Sequence, residues 1–235
     1  MNNIMNHVFC HTLTATSDAI PATDAVRRHL DAMRIRDGEQ VRVFNGRGVV
    51  SVAMVERQGG SVVLRAMSHT VVPMPPPLRL AFGVLDHRDR LEFAIEKATE
   101  LGVTHLFPLS SDHVQFRKWS DERAQAKMVA ALTQSGQAWL PQIVQPSTVE
   151  ALLNTLPSDD TIILGSDTGG AVHDVQSTSG TTVCVGPEGG FSQRELDLFT
   201  ADRRTIQIAI GRSRLRAETA AVALLAAWVG VQPLR

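Results

Sequence analysis

A proline run at Pro73–Pro77, with the sequence PMPPP, separates two parts of this chain that have different residue patterns. Proline fixes φ, has no backbone N–H donor and restricts the residue before it, so the run predicts an extended connector. We therefore predict a first domain over residues 1–72, a linker over residues 73–77 and a second domain over residues 78–235. The length of 235 residues is compatible with this division but does not require it.

The first part has the pattern of short strands separated by turns. Valine-rich runs are interrupted at Asn45-Gly46 and at Gly59-Gly60, and such pairs are typical of tight turns between antiparallel strands. Before them, the segment AVRRHLDAMRIRDGE has the pattern of a short helix. The first part therefore predicts a small β-barrel or curled sheet.

In the second part, predicted strands alternate with predicted helices. Apolar segments such as LRLAFGVL, TIILG and TTVCVG predict strands, and DRLEFAIEKATEL predicts a helix that ends at Gly102. Ser192 and Glu195 have the spacing of a capping box, which predicts the start of another helix. This alternation predicts an α/β fold with a largely parallel sheet that helices cover on both faces.

Two glycine-bearing segments follow predicted strands near the C-terminus, at the edge where α/β sheets bind ligands. One is GPEGGFS at residues 186–192, and the other is GRSRLRAETA at residues 211–220. Glycine lets the backbone approach a ligand closely, and a helix N-terminus offers free N–H groups. The alternatives are a tight strand-to-helix turn for the first segment and, for the second, a surface loop before a helix that Glu218 caps.

Together, these two segments resemble the RsmE family of the SPOUT class, which methylates N3 of a uridine in 16S ribosomal RNA. The family pattern is a strand, GPEGG, and a second strand that ends in LG-x-x-ILR-x-ETA, and this chain has GPEGGFS and AIGRSRLRAETA. The segments EKATELGV and FPL are similar to a third family element. RRHLDAMRIRDGEQVRVFNG is similar to the family's PUA-like segment, so the resemblance covers nearly the whole chain.

The resemblance implies a small PUA-like β-barrel domain that docks RNA, followed by a SPOUT-type parallel sheet with a deep trefoil knot. It also implies a homodimer, with S-adenosylmethionine as the cofactor in the loops of the knot. No metal is expected. The residues that the family pattern assigns to the cofactor pocket are Leu164, Gly165, Gly186, Pro187, Glu188, Gly189, Ile210, Gly211, Leu215 and Arg216.

Charged residues of the two loops are the candidates for catalysis. Uridine N3 must lose its proton before it attacks the methyl group, and negative charge then develops on the uracil oxygens. Arg216 is the candidate for stabilising this charge, and Glu188 and Glu218 are candidate proton acceptors. For each glutamate, orientation of a ligand or capping of a helix is the alternative role.

RNA is expected to bind through arginines of the first domain. Contacts to phosphates provide affinity, and a flipped base exposes N3. An ordinary solvated surface is the alternative explanation of these side chains. The candidate RNA-binding residues are Arg27, Arg28, Arg34 and Arg47.

Several positions depart from the family pattern. Asp112 and His113 stand where the family has glutamate and arginine, and Gln137 stands where the family has an arginine in its middle helix. Asp167 follows the TIILG strand, near the position where the family often has an acidic residue. The changes at His113 and Gln137 remove positive charge, so they affect the expected RNA contacts more than the methyl-transfer core.

The composition limits the possible partners. The net charge is −1, from 23 Lys and Arg against 24 Asp and Glu residues, so an RNA site must be a local basic patch.

Two cysteines without a CxxC pair predict neither a disulfide framework nor a zinc site and are typical of the reducing cytoplasm. The most apolar stretch, Ala220–Val231, is shorter than the roughly 20 residues of a membrane span, so no membrane contact is expected.

The sequence thus predicts an enzyme that methylates N3 of a specific uridine in 16S ribosomal RNA, on the assembled small ribosomal subunit. A non-catalytic RNA-binding or ribosome-assembly factor that retains the knotted fold is the alternative. A dinucleotide-dependent oxidoreductase is disfavoured because no GxGxxG motif follows an early strand.

Overall fold

The structure is a computed structural model that describes residues 5–114, 119–175, 179–211 and 213–232. The chain forms two compact units, of which the first runs to residue 74 and also includes residues 129–140. The remaining residues form the second unit. The proline run lies at the boundary, whereas residues 129–140, which the sequence places in the second domain, pack with the first unit.

The first unit is built on a five-stranded sheet. Its strands, in the spatial order β1-β3-β4-β5-β2, are β1 (Asn6–Phe9), β2 (Ala19–Pro21), β3 (Gln40–Phe44), β4 (Val49–Gln58) and β5 (Ser61–Val71). β1 is parallel to β3, and the other neighbouring strands are antiparallel. The turn between β4 and β5 contains the Gly59-Gly60 pair, both with positive φ, as the sequence predicts.

The two faces of this sheet pack against different segments. On one face lies helix α1 (Asp24–Ala32), whose Leu30 is in a core cluster with Val43. Neighbouring residues of a strand point to opposite faces, so Phe44 points to the other side. There it packs with Leu132 and Ala138, which explains why residues 129–140 belong to this unit.

The second unit is built on a six-stranded sheet in which all neighbouring strands are parallel. Its strands, in the spatial order β11-β9-β10-β6-β7-β8, are β6 (Leu78–Gly83), β7 (His105–Leu109), β8 (Gln142–Ile143), β9 (Thr161–Ser166), β10 (Thr181–Val185) and β11 (Thr205–Ala209). Every residue of β6 and β10 is buried, as expected for central strands of a parallel sheet. The predicted α/β fold with a parallel sheet is confirmed.

Helices cover both faces of the parallel sheet. The helices that follow its strands are α2 (Arg88–Glu100), α3 (Asp121–Ser135), α4 (Val149–Thr155), α5 (Gln193–Ala201) and α6 (Ala217–Val231), and a short 3-10 turn covers Val172–Asp174. α4 and α5 pack together over the face that carries Leu164 and Cys184. α6 packs on α2 and lies over the opposite face, where Leu224 approaches the backbone of Gly165.

A buried ion pair joins the amino-terminal ends of three strands. Arg79 Nη1 of β6 donates to Asp160 Oδ1 at 2.6 Å, and Thr182 Oγ1 of β10 donates to Asp160 Oδ2 at 2.7 Å. The Asp160 side chain is 0% exposed and that of Arg79 is 11% exposed. Because Asp160 directly precedes β9, this cluster ties β6, β9 and β10 together at one end.

Other features of the described residues concern cysteines, membranes and metals. Cys10 and Cys184 are buried free thiols. Burial, together with the charge of Asp160, raises the pKa of Cys184 far above its usual value, so this thiol is not a nucleophile near neutral pH.

None of the described helices is long and apolar enough to cross a bilayer. The described His, Cys, Asp and Glu side chains form no group of three or more that could hold a metal ion.

Candidate active site

A cavity of about 790 Å³ lies at the carboxyl-terminal ends of β9, β10 and β11. This is the edge of a parallel sheet where ligands bind in α/β proteins. Its walls include residues 165–167 at the end of β9, residues 185–188, 190 and 191 at and after the end of β10, and residues 208, 210, 211 and 213–217 around the end of β11. The two glycine-bearing segments singled out from the sequence therefore meet in one cavity.

Most of the residues expected in the cofactor pocket line this cavity. They are Gly165, Gly186, Pro187, Glu188, Ile210, Gly211, Leu215 and Arg216. Leu164 does not line it, because its side chain points into the core cluster under α4 and α5. Gly189 does not line it either, and its Cα faces His113, whose Cβ would lie 3.1 Å from a Cβ at position 189.

Close packing of the loop after β10 requires glycine on the neighbouring strand. A Cβ at Gly83, the last residue of β6, would lie 2.4 Å from Pro187 Cδ. No real side chain tolerates that distance, so any larger residue at position 83 would displace the loop. Gly83 thus sets the position of the cavity wall, although it is not itself part of the lining.

The sequence did not assign several residues that line the cavity. They are Ser166, Asp167, Val185, Gly190, Phe191, Leu196, Ile208, Ser213, Arg214, Ala217, Ala220 and Leu224. For Asp167, the sequence indicates only that it lies near the position where the family often has an acidic residue. Leu196 of α5 and Leu224 of α6 sit on the apolar faces of their helices, where the sequence pattern predicts core packing and carries no signal of a cavity.

The loop after β10 is anchored by the buried side chain of Glu195. Glu195 Oε2 accepts from Ser192 N at 2.9 Å while Ser192 Oγ accepts from Glu195 N, which is the predicted capping box of α5. The same carboxylate accepts from Ser111 Oγ at 2.9 Å and from Asp112 N at 3.1 Å. Glu195 is only 1% exposed, and the three donors to its carboxylate hold the loop after β7 against the loop after β10.

Asp112 and His113, two of the departures from the family pattern, are also engaged in this contact. Asp112 Oδ2 accepts from Ser192 Oγ at 2.6 Å, and Asp112 Oδ1 accepts from Arg194 Nη2 at 2.8 Å. Hydrogen bonds from Arg194 and Ser192 lower the pKa of Asp112. His113 Nδ1 lies 3.0 Å from the carbonyl oxygen of Gly190. Both residues therefore contact the cavity loop itself.

Arg90 of α2 lies between the two candidate proton acceptors. Its Nη1 is 3.9 Å from Glu188 Oε1, and its Nε is 3.7 Å from Glu218 Oε1. Glu188 Oε1 and Glu218 Oε2 are both buried and have no hydrogen-bond partner among the described residues. Sequence reasoning missed Arg90, because α2 lies about a hundred residues before the cavity loops and its pattern there is that of an ordinary amphipathic helix.

Two arginines of the loop after β11 line the cavity. Arg216 is the N-cap residue of α6, with extended φ and ψ of −69° and 154°, and its side chain makes no capping hydrogen bond. Arg214 is also in the cavity lining. Both residues are exposed, so their guanidinium groups are accessible to an anionic ligand.

A family model described as an RNA methyltransferase domain matches residues 73–229. This chain belongs to that family. The ribosomal RNA small subunit methyltransferase E of Rickettsia conorii is 30% identical over 206 residues, which are 83% of this chain and 82% of that protein. A crystal structure of ribosomal RNA small subunit methyltransferase E from Neisseria gonorrhoeae, bound to S-adenosyl methionine, has a TM-score of 0.85 at 25% identity and covers 95% of this chain and 96% of that one. The resemblance stated from the sequence is thus confirmed.

The cavity of this RNA methyltransferase fits an adenosyl group joined to a charged amino acid. Ile210, Leu215 and Leu224 provide apolar surface for an adenine ring, and the glycine-bearing loops provide backbone N–H and C=O groups. Glu188 also lines the cavity, and its carboxylate suits a positively charged ligand group.

The candidate RNA-binding arginines of the first unit have different surroundings. Arg27 pairs with Asp24 and donates to Gly60 O at 3.2 Å, and Arg47 donates to His11 O at 2.7 Å. For Arg28 and Arg34, the described residues include no ion-pair or side-chain hydrogen-bond partner. These two exposed side chains are thus free for an external partner, whereas Arg27 and Arg47 also support local structure.

Proposed function

We propose that this chain transfers a methyl group from S-adenosylmethionine to N3 of a uridine in 16S ribosomal RNA. The observation that carries the proposal is the cavity in which residues 186–191 and 208–217 meet, in a chain of the RNA methyltransferase family. Relatives named as small-subunit methyltransferases, one of them with S-adenosyl methionine bound, support it. The assembled small ribosomal subunit, in the cytoplasm, is the proposed substrate.

The proposed cofactor residues are those of the cavity. The apolar side chains of Ile210 and Leu215 hold the adenine ring, and the backbone of Gly165, Gly186 and Gly211 approaches the ligand closely. When bound, S-adenosylmethionine supplies a methyl group on a positively charged sulfur.

The charged side chains at the cavity have separate proposed roles. Arg216 stabilises the negative charge that develops on the uracil oxygens, because its charge is permanent and its guanidinium is accessible at the cavity. Glu188 or Glu218 accepts the N3 proton; of the two, Glu188 lines the cavity directly. Arg28 and Arg34, with Arg27 and Arg47, bind RNA phosphates.

Homodimerisation is proposed from the outer face of α6. Beyond its first turn this helix is apolar all round, yet Ala226 and Val229, three residues apart and therefore on one side of the helix, are exposed. A helix that is apolar on every side is normally buried, so a second copy of this chain is the proposed cover. The trefoil knot of the second domain and the PUA-like nature of residues 1–72 are proposed on the family resemblance.

Transfer of tritiated methyl groups to purified small ribosomal subunits tests the proposed function. Nuclease digestion and mass spectrometry of the product then identify the modified atom. We expect label in N3-methyluridine of 16S RNA with subunits as substrate. Cofactor binding without any transfer would overturn the enzyme proposal in favour of a non-catalytic RNA-binding factor, and label on another base would overturn the proposed target.

A further inference from the structure

Three charged side chains form a cluster that we name the Arg90 cluster: Arg90, Glu188 and Glu218. Of these, Glu188 lines the cavity. They come from α2, from the loop after β10 and from the first turn of α6. Two carboxylates share one guanidinium, so the formal charge of the cluster is −1. Its distances of 3.9 and 3.7 Å exceed those of a hydrogen bond, so Arg90 neutralises charge without locking either glutamate.

The side chains of the cluster are partly shielded from solvent, and some of their oxygens have no hydrogen-bond partner among the described residues. The Glu218 side chain is 10% exposed, and those of Arg90 and Glu188 are 30% and 31% exposed. Within the described residues, one oxygen of each glutamate is buried and lacks a hydrogen-bond partner. Because these oxygens have no hydrogen-bond donor in the described part of the chain and Arg90 lies beyond hydrogen-bond distance, the negative charge of the two carboxylates is only partly compensated. A carboxylate attracts a cation, and Glu188 brings this attraction to the cavity wall.

We infer that the Arg90 cluster stabilises the sulfonium charge of the methyl donor, and that Arg90 is a positioning residue that limits this stabilisation to one net negative charge. The inference rests on the proposed cofactor. In methyl transfer the N3 proton first passes through Glu188 or Glu218 to solvent, which restores the net charge of −1 on the cluster. The S–CH3 bond then breaks with its electron pair left on sulfur, and the pair of uridine N3 forms the new bond. The sulfonium charge therefore disappears during the reaction.

A stronger negative charge at the Arg90 cluster increases the affinity for the donor and lowers the rate of methyl transfer. It holds the charged donor more tightly than the uncharged product sulfur, and it opposes the loss of charge in the transition state. Arg90 weakens this attraction because its positive charge offsets the negative charge of one of the two carboxylates. Removal of Arg90 should therefore tighten binding of the donor and slow the transfer step.

Calorimetry with the full chain, without RNA and at about pH 8, tests the inference through a ratio of dissociation constants. S-adenosylhomocysteine differs from S-adenosylmethionine in lacking the methyl group and the sulfonium charge, so the ratio of its Kd to that of the donor isolates this charge. We expect Arg90→Ala to raise the ratio about tenfold and Glu218→Gln to lower it about tenfold. Arg90→Lys and the double variant Arg90→Ala/Glu218→Gln, both with net charge −1, should return it to the wild-type value.

Arg88→Ala is the matched control, since Arg88 lies one half-turn earlier on the same helix and pairs with Glu92 at 2.6 Å instead. We expect it to leave the ratio unchanged. Equal weakening of both ligands in Arg90→Ala, with a constant ratio across the series, would assign Arg90 a purely structural role and overturn the inference while leaving the proposed function intact. Absence of binding of either ligand to the wild-type chain would instead overturn the proposed cofactor together with the inference.

Single-turnover transfer to small subunits provides the second readout. We expect Arg90→Ala to reduce the rate at saturating donor by about tenfold, although its affinity for the donor is higher. An unchanged or faster rate would contradict the inferred role.

Discussion

At the scale of single residues, the proposed chemistry of this chain involves a few charged groups whose neighbours come from distant segments. Arg216 is adjacent to Leu215 in the cavity lining, and its guanidinium is accessible. Asp112 accepts hydrogen bonds from Ser192 and Arg194 and thus helps to hold the cavity loop in place. The rate of methyl transfer tests the role of Arg216, and the pH dependence of stability tests that of Asp112.

Substitution of Arg216 by alanine should reduce methyl transfer by about 10²–10³-fold, because a fixed donor to the developing uracil charge is lost. The Kd for S-adenosylhomocysteine, measured by calorimetry, should change little, since apolar and backbone groups form most of the pocket. Arg203→Ala, an exposed arginine just before β11, is the control and should retain the wild-type rate. Full activity of Arg216→Ala would remove this residue from the mechanism.

Asp112 should contribute to stability in a pH-dependent way. Hydrogen bonds from Arg194 and Ser192 lower its pKa in the folded chain below the usual 3.8. The group therefore stabilises the folded state above that usual value, and this contribution disappears as the pH falls through the folded pKa. Asp112→Asn should lower the free energy of unfolding in urea near neutral pH and make no difference well below pH 3.8.

Asp86→Asn, at an exposed aspartate after β6, is the control for the Asp112 series. It should have a small effect at every pH. A destabilisation by Asp112→Asn of equal size in acid and at neutral pH would show that the charge of Asp112 is not the cause.

At the scale of elements, the parallel sheet is held at one end by polar contacts and carries the cavity at the other. The cluster of Arg79, Asp160 and Thr182 lies at the amino-terminal ends of β6, β9 and β10. The cavity loops follow the carboxyl-terminal ends of β9 and β10. Stability and ligand binding should therefore respond to different substitutions.

Arg79→Met should destabilise the second unit by about 3–5 kcal/mol, because it leaves the buried Asp160 carboxylate without its counter-charge. The free energy of unfolding in urea measures this effect. Arg88→Met, which breaks the more exposed pair with Glu92, is the matched control and should cost much less. Similar losses in both variants would mean that the burial of Arg79 and Asp160 does not determine the energy of their pair.

At the scale of the whole molecule, the outer face of α6 is the feature that a single copy of the chain leaves unexplained. Val229 is 38% exposed, and the exposed Ala226 lies three residues before it on the same side of the helix. Exposed apolar side chains that share one side of a helix are typical of an interface. The homodimer proposed from this face can be tested by measuring the molecular mass in solution.

Ala226→Arg should convert a dimer into a monomer, because it places a charge at the centre of the proposed interface. Light scattering coupled to size exclusion measures the mass directly. Ala126→Arg, at an exposed alanine of α3, is the control and should remain a dimer. A wild-type chain that is monomeric at micromolar concentration would contradict the proposal.

Patterns that depend on neighbouring residues determined much of this protein from the sequence alone. The alternation of apolar strands with helices predicted the parallel sheet, and Ser192 with Glu195 predicted the start of α5. The glycines before and after Pro187 and Glu188 predicted a loop that approaches a ligand. Such features are local, because backbone geometry and capping depend on residues only a few positions apart.

Only the tertiary structure decided which distant residues meet. It placed residues 129–140 in the first unit, since Leu132 fills an apolar site beside Phe44. It also brought Arg90 between Glu188 and Glu218, although nothing in the pattern of α2 distinguishes Arg90 from the neighbouring Arg88. The physical reason is that electrostatic interaction and burial depend on distance in space, and parallel strands with crossover helices bring together residues that are far apart in the chain.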